Sequence, residues 1–140
     1  MAYSKKLSVG ILGGTGQVGQ EIARVLVERK FPMKSLQLFA SAESEGKTSV
    51  DGLDIEIARG AAYSSLDLLF SASPRTVAEE QVAHARKAGV RVIDVSSAHR
   101  NSEDIPLVIP EINGDDLEDF DGGLFSSPSA PAIALSMVLD

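Results

Sequence analysis

The segment Val9 to Glu21, VGILGGTGQVGQE, leaves a chain few ways to fold. The apolar run Leu7 to Leu12 stops in glycines, and a helical repeat begins directly after them. Gly13, Gly16 and Gly19 fall three residues apart across that junction. Glycines at such a junction let the backbone turn tightly and let helix and strand approach closely. A buried strand, a glycine turn and a helix make the first half of a βαβ unit, which points to a parallel sheet.

The rest of the chain repeats the alternation. Val18, Ile22, Val25 and Leu26 recur at helical spacing between Gly16 and Arg29. Leu36 to Phe39 reads as a second strand. Leu53, Ile55 and Ile57 alternate with Asp54 and Glu56 as a half-exposed strand, preceded by the hairpin signal Asp51-Gly52. Leu66 to Phe70 is a further apolar strand. Ser73-Pro74 reads as an N-cap followed by proline at the first helical position, Ala78, Val82 and Ala85 line one helix face, and Gly89 stops it. Val90 to Val95 and Leu124 to Ser126 are strands, Pro106 to Pro110 is extended, Asp115 to Asp119 makes an acidic turn, and a last helix runs from Pro131. This predicts one α/β domain over residues 1–140, a mostly parallel sheet with helices on both faces. The last helix is still apolar at Asp140. A short natural chain and a missing further domain are both open.

Charge and composition remove several functions. With 20 acidic against 13 basic residues the net charge is −7, against the basic face that nucleic-acid binding needs. Without cysteine there is no disulfide, thiolate metal site or thiol nucleophile. His84 and His99 are too few to suggest zinc, and the acidic run from Asp115 to Asp121 reads as a solvated helix face. The apolar stretch after Lys6 is too short for a signal-peptide core or a membrane span. The expected location is the cytoplasm, with no membrane partner.

The glycine turn itself suggests a ligand. Its backbone can approach a pyrophosphate, and the helix N-terminus behind it offers unpaired N–H groups and a positive dipole end. At the ribose end the residues support more than one reading. Glu43 and Glu45 lie where an acidic residue would hold an NAD ribose, while Ser41, Ser44 and Lys47 would suit a 2′-phosphate. A plain solvated loop is the third reading. A short-chain reductase has a similar glycine pattern, but it needs a tyrosine with a lysine four residues on. Tyr3 is followed by Leu7 and Tyr63 by Asp67, so that class fails.

Several blocks together resemble one family, the aspartate-semialdehyde dehydrogenases: GILGGTGQVGQE, ERKFPMKSLQLFAS, SEGK, LDLLFSAS, VRVIDVSSAHR and DIPLVIPEIN, in the family's order. The resemblance implies a Rossmann-type, doubly wound nucleotide-binding domain. It belongs to a two-domain, usually dimeric oxidoreductase that reduces aspartyl phosphate with NADPH in amino-acid biosynthesis. This chain corresponds to the first domain, and the family's catalytic and dimerisation domain has no counterpart in it. By position, Gly13, Thr15, Gly16, Gln17, Val18 and Gly19 hold the pyrophosphate. Ser41 and Ser44 lie near the adenosine ribose, and Ser71 and Ala72 near the nicotinamide. Arg100 takes the substrate phosphate, for which a forked guanidinium is suited.

Two departures from the pattern matter. Glu43 replaces an arginine that reads the 2′-phosphate, which disfavours NADP and makes NAD plausible. In GLFSSPSAPAI the family's Pro-Asn-Cys becomes Pro128-Ser129-Ala130, so the thiol that attacks the acyl phosphate is absent. Pro131 further removes a backbone donor at the helix start. Ser126, Ser127 and Ser129 read as turn formers, with nothing to bring His99 to them as a base. Three functions remain: an inactive dinucleotide-binding domain, a working dehydrogenase whose missing domain a partner chain supplies, and a non-catalytic interaction protein on the same scaffold. Apolar surface left by an absent second domain would also favour a homodimer.

Overall fold

The computed structural model describes residues 5–40, 46–50, 52–58, 63–117 and 120–140. Its elements are β1 (Leu7–Leu12), α1 (Gln17–Glu28), β2 (Met33–Phe39), β3 (Gly46–Val50), β4 (Leu53–Ala58), β5 (Leu68–Ser71), α2 (Arg75–Lys87), β6 (Arg91–Asp94), the short α3 (Pro110–Asn113), β7 (Leu124–Ser126) and α4 (Ala130–Leu139). The strands form one sheet in the order β3-β4-β2-β1-β5-β6-β7. Among the described strands only the β3–β4 pair is antiparallel.

Alternation along the strands divides the core. Val9 and Ile11 of β1 pack with Ala23 and Leu26 of α1. Leu12, Leu69, Val92 and Leu124 pack with Val82 and Ala85 of α2. Successive strand side chains point to opposite faces, so α1 and α2 cover opposite faces and the fold is the doubly wound α/β type predicted. The chain leaves β1 towards β2 on one side and later returns to β5 on the other. The crevice between the carboxyl ends of β1 and β5 is therefore the topological switch point, where ligands of such sheets bind.

Some local expectations are corrected. Strand β2 starts earlier, at Met33, and β3 was not legible as a strand. It pairs with β4 up to Val50 and Leu53, and Gly52 has φ +79°; Asp51, the other residue of the expected hairpin signal, lies outside the described residues. On α1, Leu26 is buried and Ile22 packs against the same core as expected, but Val18 is 55% exposed and Gly19 and Ala23 are buried instead. Small residues win that face because they let helix and sheet approach. Ser73 does not cap α2: Pro74 occupies the N-cap position, and its carbonyl accepts the Ala78 N–H at 2.9 Å. Helix α4 begins one residue earlier than expected, at Ala130, with Pro131 in its first turn, where a missing N–H costs nothing. Gly89 ends α2 as predicted, with φ +80°. No helix among the described residues is long and apolar enough to cross a membrane.

Candidate functional site

The parallel register lines up one row of side chains at the carboxyl edge of the sheet. Phe39 pairs with Leu12, Leu12 with Ser71, Ser71 with Asp94 and Asp94 with Ser126. All five share the strand parity that faces α2, and all are buried. The row is apolar at β2 and β1 and polar at β5, β6 and β7. Each half underlies a different piece of the candidate site, their midpoints about 12 Å apart at roughly 4.8 Å per strand.

Over the apolar half lies a cleft of about 580 Å³. One wall is the glycine turn (Gly13, Thr15, Gly16), the other Ala72, Ser73, Pro74 and Val77, and Phe39, Ala40, Tyr63 and Gln81 close the far end. The glycines are required by geometry. Gly13 has φ +75°, and a Cβ there would stand 2.6 Å from the Ala72 carbonyl oxygen. A Cβ on Gly19 would overlap the Gly13 carbonyl oxygen. Gly13 and Gly14 both donate their N–H to the Phe39 carbonyl, at 2.9 and 3.1 Å, which pins the turn to β2. Gly16 is the N-cap of α1 and supplies no side-chain cap. The first-turn N–H groups of Gln17, Val18 and Gly19 thus have no partner within the helix. Tyr63 stacks edge-on against Phe39, ring centroids 5.2 Å apart. Burial, and secondarily Glu80, pushes its hydroxyl up to about 12, so it stays protonated and donates to Gln81 Oε1 at 2.8 Å.

Over the polar half sits a second cluster. Asp94 is fully buried; one carboxylate oxygen accepts the Ser96 N–H at 3.1 Å and the other meets His99 Nδ1 at 2.7 Å. This closes the turn 94–100 and delivers Arg100 to the loop before α4. Arg100 Nε donates to the Ser127 carbonyl at 3.0 Å and Nη2 to the Val95 carbonyl at 2.9 Å. Two of its five donors are thereby used, and the guanidinium is anchored rather than swinging in solvent. The Ser127 N–H donates to the Asp94 carbonyl at 2.8 Å, so the same turn also holds the loop. Ser129 caps α4 by position only, and Ala130 is exposed at its first residue.

Comparison with known proteins fits this geometry. The model of the semialdehyde dehydrogenase NAD binding domain matches residues 8–120. The chain belongs to that family. Curated relatives of the semialdehyde dehydrogenase domain include the aspartate-semialdehyde dehydrogenases of Streptomyces akiyoshiensis, 43% identical, and Aquifex aeolicus, 39% identical. These alignments cover 95% and 94% of this chain but only 39% and 40% of the relatives, so the chain spans about two fifths of their length. The crystal structure of aspartate semialdehyde dehydrogenase II from Vibrio cholerae, complexed with ASA, superposes with a TM-score of 0.90 at 30% identity, over 96% of this chain and 45% of that one.

The residues expected from the sequence of this semialdehyde dehydrogenase domain fall into distinct places. Gly13, Thr15, Gly16 and Ala72 line the cleft. Gly19 is buried beneath the turn, Gln17 and Val18 contribute backbone at the head of α1 with exposed side chains, and Ser71 is sealed from the cleft. Ser41, Glu43 and Ser44 lie outside the described residues, as does the side chain of Lys47. Arg100 and Ala130 belong to the second cluster. His84 is exposed on α2. Sequence reasoning missed Tyr63, Gln81 and Asp94, and left His99 unplaced. A charged residue closing the apolar strand VRVID was the available signal for Asp94.

The position of Ala130 gives a direct prediction. A cysteine introduced there, Ala130→Cys, is exposed at a helix N-terminus, which lowers a thiol pKa. Alkylation by iodoacetamide at neutral pH should run several-fold faster than that of an unstructured peptide thiol. A rate equal to the peptide's would remove the case for an activated position.

Proposed function

We propose that this chain is the N-terminal dinucleotide-binding domain of an aspartate-semialdehyde dehydrogenase-type protein, and that it forms no thioester because alanine occupies the nucleophile position. The observation that carries the binding half is the glycine turn. Gly13 and Gly16 leave no side chain between their backbone and the cleft, and the uncapped head of α1 faces the same space. That cradle fits a pyrophosphate. The adenine end fits the slot of Phe39, Tyr63 and Val77, which is apolar with one hydroxyl. When bound, the nicotinamide supplies hydride chemistry; the chain's own residues bind and orient it. Arg100, held on two carbonyls, is the proposed phosphate ligand of the substrate. Ser41 and Ser44 are the proposed ribose contacts.

Catalytic incompetence rests on Ala130 and Pro131 together. Purified chain should give no phosphate-dependent NAD(P) reduction with aspartate semialdehyde, and measurable turnover by the chain alone would overturn this. Glu43 is the proposed reason for preferring NAD, since a carboxylate repels a 2′-phosphate. NADH should bind about ten-fold more tightly than NADPH, and Glu43→Arg should narrow or reverse the ratio. Equal affinities in a side-by-side titration would remove the argument.

A second reading has its own support. Helix α4 exposes Leu135 (61%), Met137 (50%), Val138 (83%) and Leu139 (75%), and none of its residues is buried. An apolar surface of this kind marks a protein contact. A second domain or a second copy covering α4 would make this chain one part of a larger assembly, and dehydrogenase activity appearing only on mixing with that partner would establish it.

A further inference from the structure

Two hydroxyls at the switch point have no hydrogen-bond partner. Ser71 Oγ and Ser73 Oγ are both unpaired, and the residues are 0% and 8% exposed. Buried hydroxyls ordinarily find a partner. For a serine just ahead of a helix that partner is the helix's own N–H groups, yet α2 receives no side-chain cap and Pro74 takes the capping position. Ser71 is closed off beneath the sheet end. Ser73 Oγ is sealed too, but its residue lines the cleft, on the wall opposite the glycine turn, and a rotamer change about Cα–Cβ would present the hydroxyl there.

The two walls meet closely. A Cβ on Gly13 would stand 3.0 Å from the Ser73 amide nitrogen. A ligand seated on the backbone of Gly13 and Gly16 therefore has the Ser73 wall as its nearest opposite neighbour. Behind Ser73, the thirteen-residue α2 begins with no acidic residue in its first turn, so its positive dipole end is not neutralised there. An unpaired donor, an uncapped helix head and a facing phosphate cradle converge on one space.

We propose that Ser73 is a ligand-binding residue whose hydroxyl donates to an oxygen of the bound dinucleotide's diphosphate, which is held between the heads of α1 and α2. The inference rests on the dinucleotide reading above and extends it to a residue that the glycine pattern does not include. It explains why a buried hydroxyl is left without a partner in the protein: its partner arrives with the ligand.

Titration calorimetry of wild type and Ser73→Ala with NADH and with ADP, alongside melting curves without ligand, tests this. Losing one hydrogen bond to a charged oxygen should weaken both ligands about ten-fold. The unliganded melting temperature should hold or rise, because an unpaired buried hydroxyl is removed. Ser73→Ala binding NADH and ADP within about two-fold of wild type would overturn the proposal. So would a loss confined to NADH, which would place the contact beyond the diphosphate, or a melting loss above roughly 5 °C, which would give the hydroxyl a structural role. A wild type that binds neither ligand would instead sink the dinucleotide reading itself.

Discussion

Gly13→Ala should destabilise the domain by about 3 kcal/mol and abolish ligand binding in the cleft. Two costs combine. At φ +75° an L-residue costs about 1–2 kcal/mol relative to glycine. The new Cβ would also stand 2.6 Å from the Ala72 carbonyl oxygen and 2.9 Å from its carbon. Both are backbone atoms at the end of β5, so nothing flexible can yield, and overpacking of this kind costs about 1–3 kcal/mol. The melting temperature should fall by roughly 10 °C. The contact lies across the switch point, so whatever relaxation occurs must part β1 from β5 where the cleft is built. Gly16→Ala is the control: its Cβ would meet only the Gly13 carbonyl oxygen, at 3.3 Å, and it should cost far less stability. Equal melting temperatures for Gly13→Ala and wild type would contradict the account of the turn.

The second large effect is expected at Asp94. Asp94→Ala removes the acceptor of both the Ser96 N–H and His99 Nδ1 from a site with no solvent exposure. Leaving buried donors unpaired costs about 1–3 kcal/mol each, so a loss of about 2–4 kcal/mol is expected from chemical denaturation. Asp94→Asn keeps one acceptor oxygen and should lose less. The consequence extends along the turn. Without the Asp94–His99 contact the turn 94–100 loses its closure, and with it the placement of Arg100 on the Ser127 carbonyl. Proteolysis or hydrogen exchange should then show the loop before α4 opening first, while the glycine turn remains protected. Uniform loosening across both halves would argue that Asp94 acts on the sheet as a whole and not on this turn.

How much of this was legible in the sequence follows from how local each signal is. The β1–turn–α1 unit was readable because its constraint, glycine at Gly13, Gly16 and Gly19, lies within one short segment. The mostly parallel sheet and the two-faced core followed from alternating elements, while the strand order came only with the structure. Strand β3, GKTSV, was not readable: it is short and largely polar, and its extended form comes from pairing with β4. On α1, Leu26 and Ile22 reach the core as read, but Val18 does not, because the sheet takes the small Gly19 and Ala23 beside them. Tyr63 was weighed only as a candidate catalytic tyrosine. Its place in the cleft depends on a 3₁₀ turn, Tyr63–Ser65, that brings it against Phe39 from a distant part of the chain. Asp94 and His99 are five residues apart, but their contact exists only because β6 ends under the turn that follows. The order of residues around Ala130 suggested a nucleophile position; that Arg100 braces the same loop could not be read from it.

The central claim is that a dinucleotide lies on the glycine turn of this domain. Calorimetric titration of NADH into the purified chain, with Gly13→Ala as the matched control, tests it most directly. The account predicts saturable one-to-one binding to wild type and none to the variant under conditions where both remain folded. No heat of binding to folded wild-type protein at millimolar NADH, or equal binding by the two proteins, would contradict it.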